Sequence, residues 1–250
     1  MPEKEFPSRQ IILDFPSGPE YSFSNFIVSK GSRFAVNAAK QITSDESVPY
    51  NTLYLFGDKG LGKTHLLMSI GNHLAEHRPE KKVLYVHGAE FVRNIEEGDA
   101  SAANQTLSKL LDVDFFLLDD VDRISGKRTP QEKLYHIYNS LTEKNRKIVF
   151  AGGQNPERLG DTEDYLKSRF KWGMTAEIKP IDDATTAKIL SKLGLDAGLS
   201  VPDKVVEYLL ARIPRDFPSI KNAVEKINHE SYVQKRKVTL AMVKSALDLS

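Results

Sequence analysis

Gly57-Asp58-Lys59-Gly60-Leu61-Gly62-Lys63-Thr64 stands between an apolar, β-prone run, Thr52 to Phe56, and a segment in which Leu66, Leu67, Ile70 and Leu74 recur at helical spacing. The octet fits G-x-x-x-x-G-K-[ST], and each fixed position has its own task. Glycines let the backbone curl so that its N–H groups face phosphate oxygens, and the N-terminus of the following helix adds positive potential. Lys63 neutralises the outer phosphate oxygens, and the Thr64 hydroxyl is a donor for magnesium. The same pattern can be a glycine-rich turn that binds nothing; the strand before it and the helix after it favour a site for ATP or ADP.

Working outward, Phe115-Phe116-Leu117-Leu118-Asp119-Asp120 is an apolar strand that ends in two carboxylates. Downstream of a phosphate loop this reads as the magnesium acid, Asp119, followed by Asp120, which would polarise the attacking water. Further short β-prone runs, Val83 to Val86, Ile148 to Ala151 and Thr175 to Ile178, alternate with helical patterns. That alternation predicts an α/β fold with a parallel sheet flanked by helices, the nucleotide lying at its carboxyl edge. After Pro180 strand signals stop and helical spacings take over, for example Val205, Val206, Leu209 and Leu210, then Ile220, Val224 and Ile227. The expected division is a flexible tail over 1–20, a nucleotide-binding core over 21–180 and a small all-α domain over 181–250.

Thirty-five Lys and Arg against 34 Asp and Glu give a formal net charge of +1, without the broad positive field behind non-specific DNA affinity. The chain has no cysteine, which excludes a disulfide framework or a thiolate metal site. His73 and His77 lie four apart on an expected helix with no third ligand in view, and read as surface or core. The first ten residues have no apolar h-region, and no run of eighteen apolar residues occurs, so no membrane segment is expected and a cytoplasmic protein is.

Three stretches carry a resemblance to the AAA+ module of the DnaA family of replication initiators: Tyr21-Ser22-Phe23-Ser24-Asn25-Phe26-Ile27-Val28, Gly60-Leu61-Gly62-Lys63-Thr64-His65-Leu66-Leu67 and Leu166-Lys167-Ser168-Arg169-Phe170-Lys171-Trp172-Gly173. The resemblance runs from about Tyr21 to the end and implies a P-loop AAA+ core with a helical lid. It implies an adenine pocket at Tyr21 to Val28, although Phe23 and Phe26 read on sequence alone equally as core. It adds His65 to the nucleotide-contacting positions and makes Arg169 an arginine finger acting in trans. The partner subunit would be DnaA, and a homo-oligomer stays open. Trp172 is expected either to pack under the finger loop or to stand exposed at an interface. In Pro214-Arg215-Asp216-Phe217, Arg215 would be the lid arginine that reaches the phosphates.

The chain also departs from the initiator pattern. It stops about where the lid ends, with no helix-turn-helix after it, so sequence-specific duplex binding is not expected. The region from Asn94 to Asp112 holds Glu96, Glu97, Asp99 and Asp112 against Lys109, which disfavours a single-stranded phosphate backbone. Gly153 stands where the family usually has a polar sensor residue after the fourth strand; Gln154 or Asn155 could substitute, and intrinsic hydrolysis is expected to be weak.

Gln10-Ile11-Ile12-Leu13-Asp14-Phe15 resembles the peptides that insert Gln10, Leu13 and Phe15 equivalents into the sliding-clamp pocket. Such a peptide ahead of an AAA+ module is the plan of Hda-type regulators, which act with the clamp to make DnaA hydrolyse its ATP. Two other readings stay open: a self-sufficient ATPase that remodels or loads a replication protein, and an initiator-like DNA-binding factor.

Overall fold

The computed structural model describes residues 21–44, 48–97 and 112–248. The clamp-type peptide with Gln10, Leu13 and Phe15 lies outside the described residues, as do Asp99 and Lys109. Among the described residues two compact units emerge: one of residues 21–27, 34–44, 48–57, 63–97 and 112–178, the other of residues 28–33, 58–62 and 179–248.

The first unit is built on five parallel strands: β1 (Thr52–Phe56), β2 (Val83–His87), β3 (Phe115–Asp119), β4 (Lys147–Gly152) and β5 (Met174–Glu177). Their order across the sheet is β2-β3-β4-β1-β5. The apolar runs seen in the sequence are these strands, with β2, β3 and β4 each reaching one residue further at the carboxyl end, β4 also starting one residue earlier, and β5 lying one residue earlier than the run Thr175 to Ile178. His87, Asp119 and Gly152 keep the ladder there although their side chains are not apolar, because pairing is a property of the backbone.

Helices α1 (Arg33–Ile42), α2 (Lys63–His77), α3 (Gly88–Glu96), α4 (Arg128–Glu143) and α5 (Asp164–Lys171) connect and cover the strands. Side chains alternate across a strand, so Tyr54, Phe116, Leu118, Ile148 and Phe150 share one face. They form a single buried cluster with Phe91 of α3, Leu134 and Ile137 of α4, and Leu166 and Phe170 of α5. Leu53, Leu55, Leu117 and Val149 fill the other face, where α2 runs across β2, β3 and β4. Burying each large side chain is worth about 1.5–3 kcal/mol.

Between α5 and β5 the chain passes Thr52 closely: a Cβ on Gly173 would lie 2.0 Å from the Thr52 carbonyl oxygen. Gly173→Ala is therefore expected to cost about 1–3 kcal/mol through enforced backbone movement, read as a lowered Tm in thermal melts. An unchanged Tm would contradict this tight entry into β5.

The second unit holds α6 (Asp183–Asp196), α7 (Asp203–Leu210), α8 (Phe217–Gln234) and α9 (Leu240–Ala246). Ile189, Leu190, Val205, Leu209, Ile220, Val224, Ile227 and Val243 are its buried centre. Three helix starts are capped by side chains that take otherwise unpaired N–H groups: Asp182 accepts from Thr185, Asp216 from Ser219 and Thr239 from Met242. The Thr185 N–H holds the Asp182 carboxyl below its usual range. Among the described residues no helix is long and apolar enough to cross a membrane.

Candidate nucleotide site

The parallel ladder puts the carboxyl ends of β1, β3 and β4 side by side. β1 leaves the sheet at Phe56 and enters Gly57, the start of the phosphate loop, where a Cβ would lie 2.2 Å from the Ile178 carbonyl oxygen. Any side chain would force this backbone off the sheet edge. At Lys63 the chain turns into α2, and the Lys63 ammonium donates to the Gly57 carbonyl at 2.7 Å while the residue is only 8% exposed. An isolated buried ammonium would be costly, and the carbonyl holds it at the loop it is expected to serve.

Thr64 and Asp119 come together as the sequence implied. The Thr64 hydroxyl donates to Asp119 Oδ2 at 2.6 Å. Asp119 is 1% exposed and its other oxygen accepts the Asp120 N–H at 2.9 Å. A hydroxyl and a buried carboxylate in contact are the hard oxygen donors that magnesium takes, so these residues fit the ion.

Sequence reading missed Tyr85, whose hydroxyl also donates to Asp119 Oδ2, at 3.1 Å. Tyr85 lies two residues before His87, the residue paired with Asp119 across β2 and β3, and two-residue periodicity puts it on the same face. Burial, and then the Asp119 charge, push its phenol far above the usual range, so it remains a donor. The signal in the sequence was a lone tyrosine near a strand's carboxyl end, legible only once β2 is known to flank β3.

Asp120 adopts the left-handed region, φ 47° and ψ 49°, which is costly for a residue with a Cβ. Its carboxylate lies 3.3 Å from His87 Nε2 and is part-exposed, which leaves it reachable by water.

His65, assigned with the loop, packs its ring edge-on against Tyr21 and Phe26 at 5.4 and 5.3 Å between centroids. Its Nε2 lies 3.0 Å from the Ser22 carbonyl, and Asn72 donates to the Tyr21 carbonyl at 2.7 Å. The Tyr21 to Phe26 segment is thus fastened to α2, with Phe23 and Phe26 half-buried. Of the two expected substitutes at the end of β4, Asn155 caps the next turn through Glu157 N–H at 3.0 Å, and Gln154 is exposed with its carbonyl taken by the Tyr54 hydroxyl at 3.1 Å.

Arg169 projects from the last turn of α5. Its guanidinium lies 4.4 Å from the ring of Trp172 and 5.5 Å from that of Tyr135, and Nε donates to Asn139 Oδ1 at 3.3 Å. Among the described residues no carboxylate pairs with it. Trp172 stands 68% exposed. On the surface of this unit, Glu96 pairs with Lys127 at 2.8 Å and Asp112 with Lys82, so part of the acidic charge read between Asn94 and Asp112 is neutralised locally.

In the second unit, Asp58, Lys59, Gly60, Leu61 and Gly62 group with the helices. Gly60 has φ +83°, and a Cβ there would lie 3.1 Å from the Cβ of Asp216, the cap of α8. Arg215, next to that cap, pairs with Asp183 at 2.7 Å, while its buried Nη1 has no hydrogen-bond partner.

A parallel sheet with a phosphate loop after β1, an acid pair after β3 and an all-α second unit define a P-loop AAA+ module. The family description "Bacterial DnaA ATPAse domain" matches residues 18–177, and "Hda, lid domain" matches residues 183–247. The chain belongs to the DnaA-related AAA+ family. The chromosomal replication initiator protein DnaA of Symbiobacterium thermophilum is 35% identical over 213 residues, 84% of this chain and 46% of that protein. The chain thus spans about half the length of that relative. Domain III of the Thermotoga maritima replication initiation protein DnaA superimposes with a TM-score of 0.80 at 31% identity, covering 93% of this chain and 98% of that one. A replication initiator DnaA bound to AMPPCP and single-stranded DNA superimposes with a TM-score of 0.77 at 29% identity, covering 87% and 69%.

Proposed function

We propose that this protein is an Hda-like regulator of replication initiation that acts with the sliding clamp to promote hydrolysis of ATP bound to DnaA. In this reading residues 21–180 are the nucleotide-binding core and 181–250 the lid. Gly57 to Thr64, with His65, take ATP or ADP, a reading supported by the relative that binds AMPPCP. Magnesium on Thr64 and Asp119 would supply charge neutralisation at the phosphates, Asp120 would polarise water, and Arg215 would couple the lid to the bound nucleotide.

The observation that carries the regulatory reading is Arg169. A guanidinium held by an amide and two rings and, among the described residues, by no carboxylate keeps its full charge available for a phosphate on a neighbouring subunit. The missing side chain at Gly153 supports slow turnover by the protein alone; fast, sustained hydrolysis without DnaA would favour the self-sufficient ATPase.

The clamp part is tested by calorimetry of the sliding clamp against the intact chain and a Gln10→Ala, Leu13→Ala, Phe15→Ala variant at fixed salt. Binding by the intact chain, weakened at least about tenfold in the variant, is expected, since truncating buried anchor residues of a peptide costs about 1–2 kcal/mol or more each. Equal affinities, or no binding by either, would remove the clamp from the account.

A further inference from the structure

The carboxyl ends of β2 and β3 lie side by side, with His87 opposite Asp119 in the ladder. Side chains alternate along a strand, so Tyr85, two residues before His87, stands on the same face as Asp119. α2, whose first turn carries Thr64, runs across both strands. Tyr85, Thr64 and Asp119 thus meet from three different elements.

Asp119 is 1% exposed, and a carboxylate buried to that degree is costly unless its oxygens are paired. Three donors pair them. Oδ1 accepts the Asp120 N–H at 2.9 Å, and Oδ2 accepts two hydroxyls, from Thr64 at 2.6 Å and from Tyr85 at 3.1 Å. All three donors are neutral, so they fix the carboxylate without cancelling its charge against a cation. The two hydroxyls differ in their duties. The Thr64 oxygen is itself one of the groups that fit magnesium, so its placement has to serve the ion and the carboxylate together. Tyr85 is carried by a strand of the sheet, outside the phosphate loop, on a side chain with only two torsions to order.

We propose that Tyr85 is a positioning residue for the magnesium site: its hydroxyl sets the orientation of the Asp119 carboxylate, so that Asp119 and Thr64 present their oxygens to the ion together. Magnesium demands near-ideal octahedral geometry and gives up its water reluctantly, so a carboxylate free to turn is a poorer ligand than one already held. Hydrogen-bonded partners of ligating groups commonly do this holding, and their loss costs about 10–100-fold in metal affinity. Tyr85 acts through Asp119 rather than on the nucleotide. The inference rests on the nucleotide and magnesium part of the function proposed above and is independent of the clamp and of DnaA.

The test is calorimetry of ADP binding to the full chain, in chelator and over a series of magnesium concentrations. Tyr85→Phe keeps the ring and removes only the hydroxyl. The magnesium concentration that gives half of the gain in ADP affinity is expected to rise about tenfold over the intact chain, with ADP affinity in chelator unchanged within about twofold. In an Asp119→Ala background, Tyr85→Phe should change ADP affinity in magnesium by less than about twofold, because the group it acts through is gone. An unchanged magnesium midpoint in Tyr85→Phe would overturn the assignment and leave the nucleotide site in place. So would an equal loss of ADP affinity in chelator and in magnesium, the mark of a packing role, or a full further loss in the Asp119→Ala background. An intact chain that binds ADP indifferently to magnesium would overturn the magnesium assignment with it, and one that binds no ADP would overturn the nucleotide reading as well.

Discussion

Lys63→Ala is expected to abolish useful nucleotide binding: ADP and AMPPCP affinity should fall by roughly 30-fold to several-thousand-fold, the effect of removing about 2–5 kcal/mol of a buried charge-assisted contact. The lysine is 8% exposed and tied to the Gly57 carbonyl at 2.7 Å, so its ammonium is already desolvated and fixed in the folded chain. Phosphate then gains a cation without the entropy of immobilising a long side chain. Because Lys63 opens α2 rather than filling the cluster around Tyr54 and Phe150, far-ultraviolet circular dichroism should be preserved. Calorimetry reads the loss directly. An affinity within about threefold of the intact chain would mean that the loop does not use this residue.

The second large effect is expected at Arg169. If its guanidinium completes the nucleotide site of a neighbouring DnaA subunit, Arg169→Ala should lower stimulated hydrolysis by about 10³-fold or more, the range found for arginine fingers. Arg169→Lys should not rescue it, because an ammonium lacks the planar fork that reaches two phosphate oxygens together. The contacts holding Arg169 in the free chain are weak enough to be exchanged on docking. Cation–π contacts at exposed sites are worth about 0.5–1 kcal/mol each, and the 3.3 Å bond to Asn139 is long. Clamp binding by the variant should be unchanged, which separates loss of the finger from loss of recruitment. Stimulated hydrolysis within about tenfold of the intact chain would remove Arg169 from this role.

How much of this was legible in the sequence follows from how local each feature is. The phosphate loop is written in eight consecutive residues between a strand and a helix, and β1 and α2 lie where that reading put them. Asp119 could be assigned because an apolar strand ending in acid has few places to go once a phosphate loop precedes it. Helix faces such as Ile220, Val224 and Ile227 were visible from spacing alone and are buried.

Tyr85 and Asp122 could not be found in that way. The part played by Tyr85 depends on β2 lying beside β3, a pairing between segments about thirty residues apart that no local pattern encodes. The hydrogen bond from the Gly153 N–H to Asp122 Oδ2 depends on a left-handed aspartate at 120, a conformation that aspartate adopts only occasionally. The sequence therefore exposed the vacancy at Gly153 but directed attention to Gln154 and Asn155, whose atoms are engaged elsewhere or turned to solvent. The grouping of Asp58–Gly62 with the helices, through Gly60 against Asp216, is likewise a long-range packing fact.

The most direct measurement is single-turnover conversion of labelled ATP bound to DnaA, with the sliding clamp loaded on DNA, in the presence and absence of this protein. The account predicts that conversion is accelerated only when both the loaded clamp and the intact chain are present. Conversion at the same rate without the chain, or acceleration that needs neither the clamp nor Arg169, would contradict it.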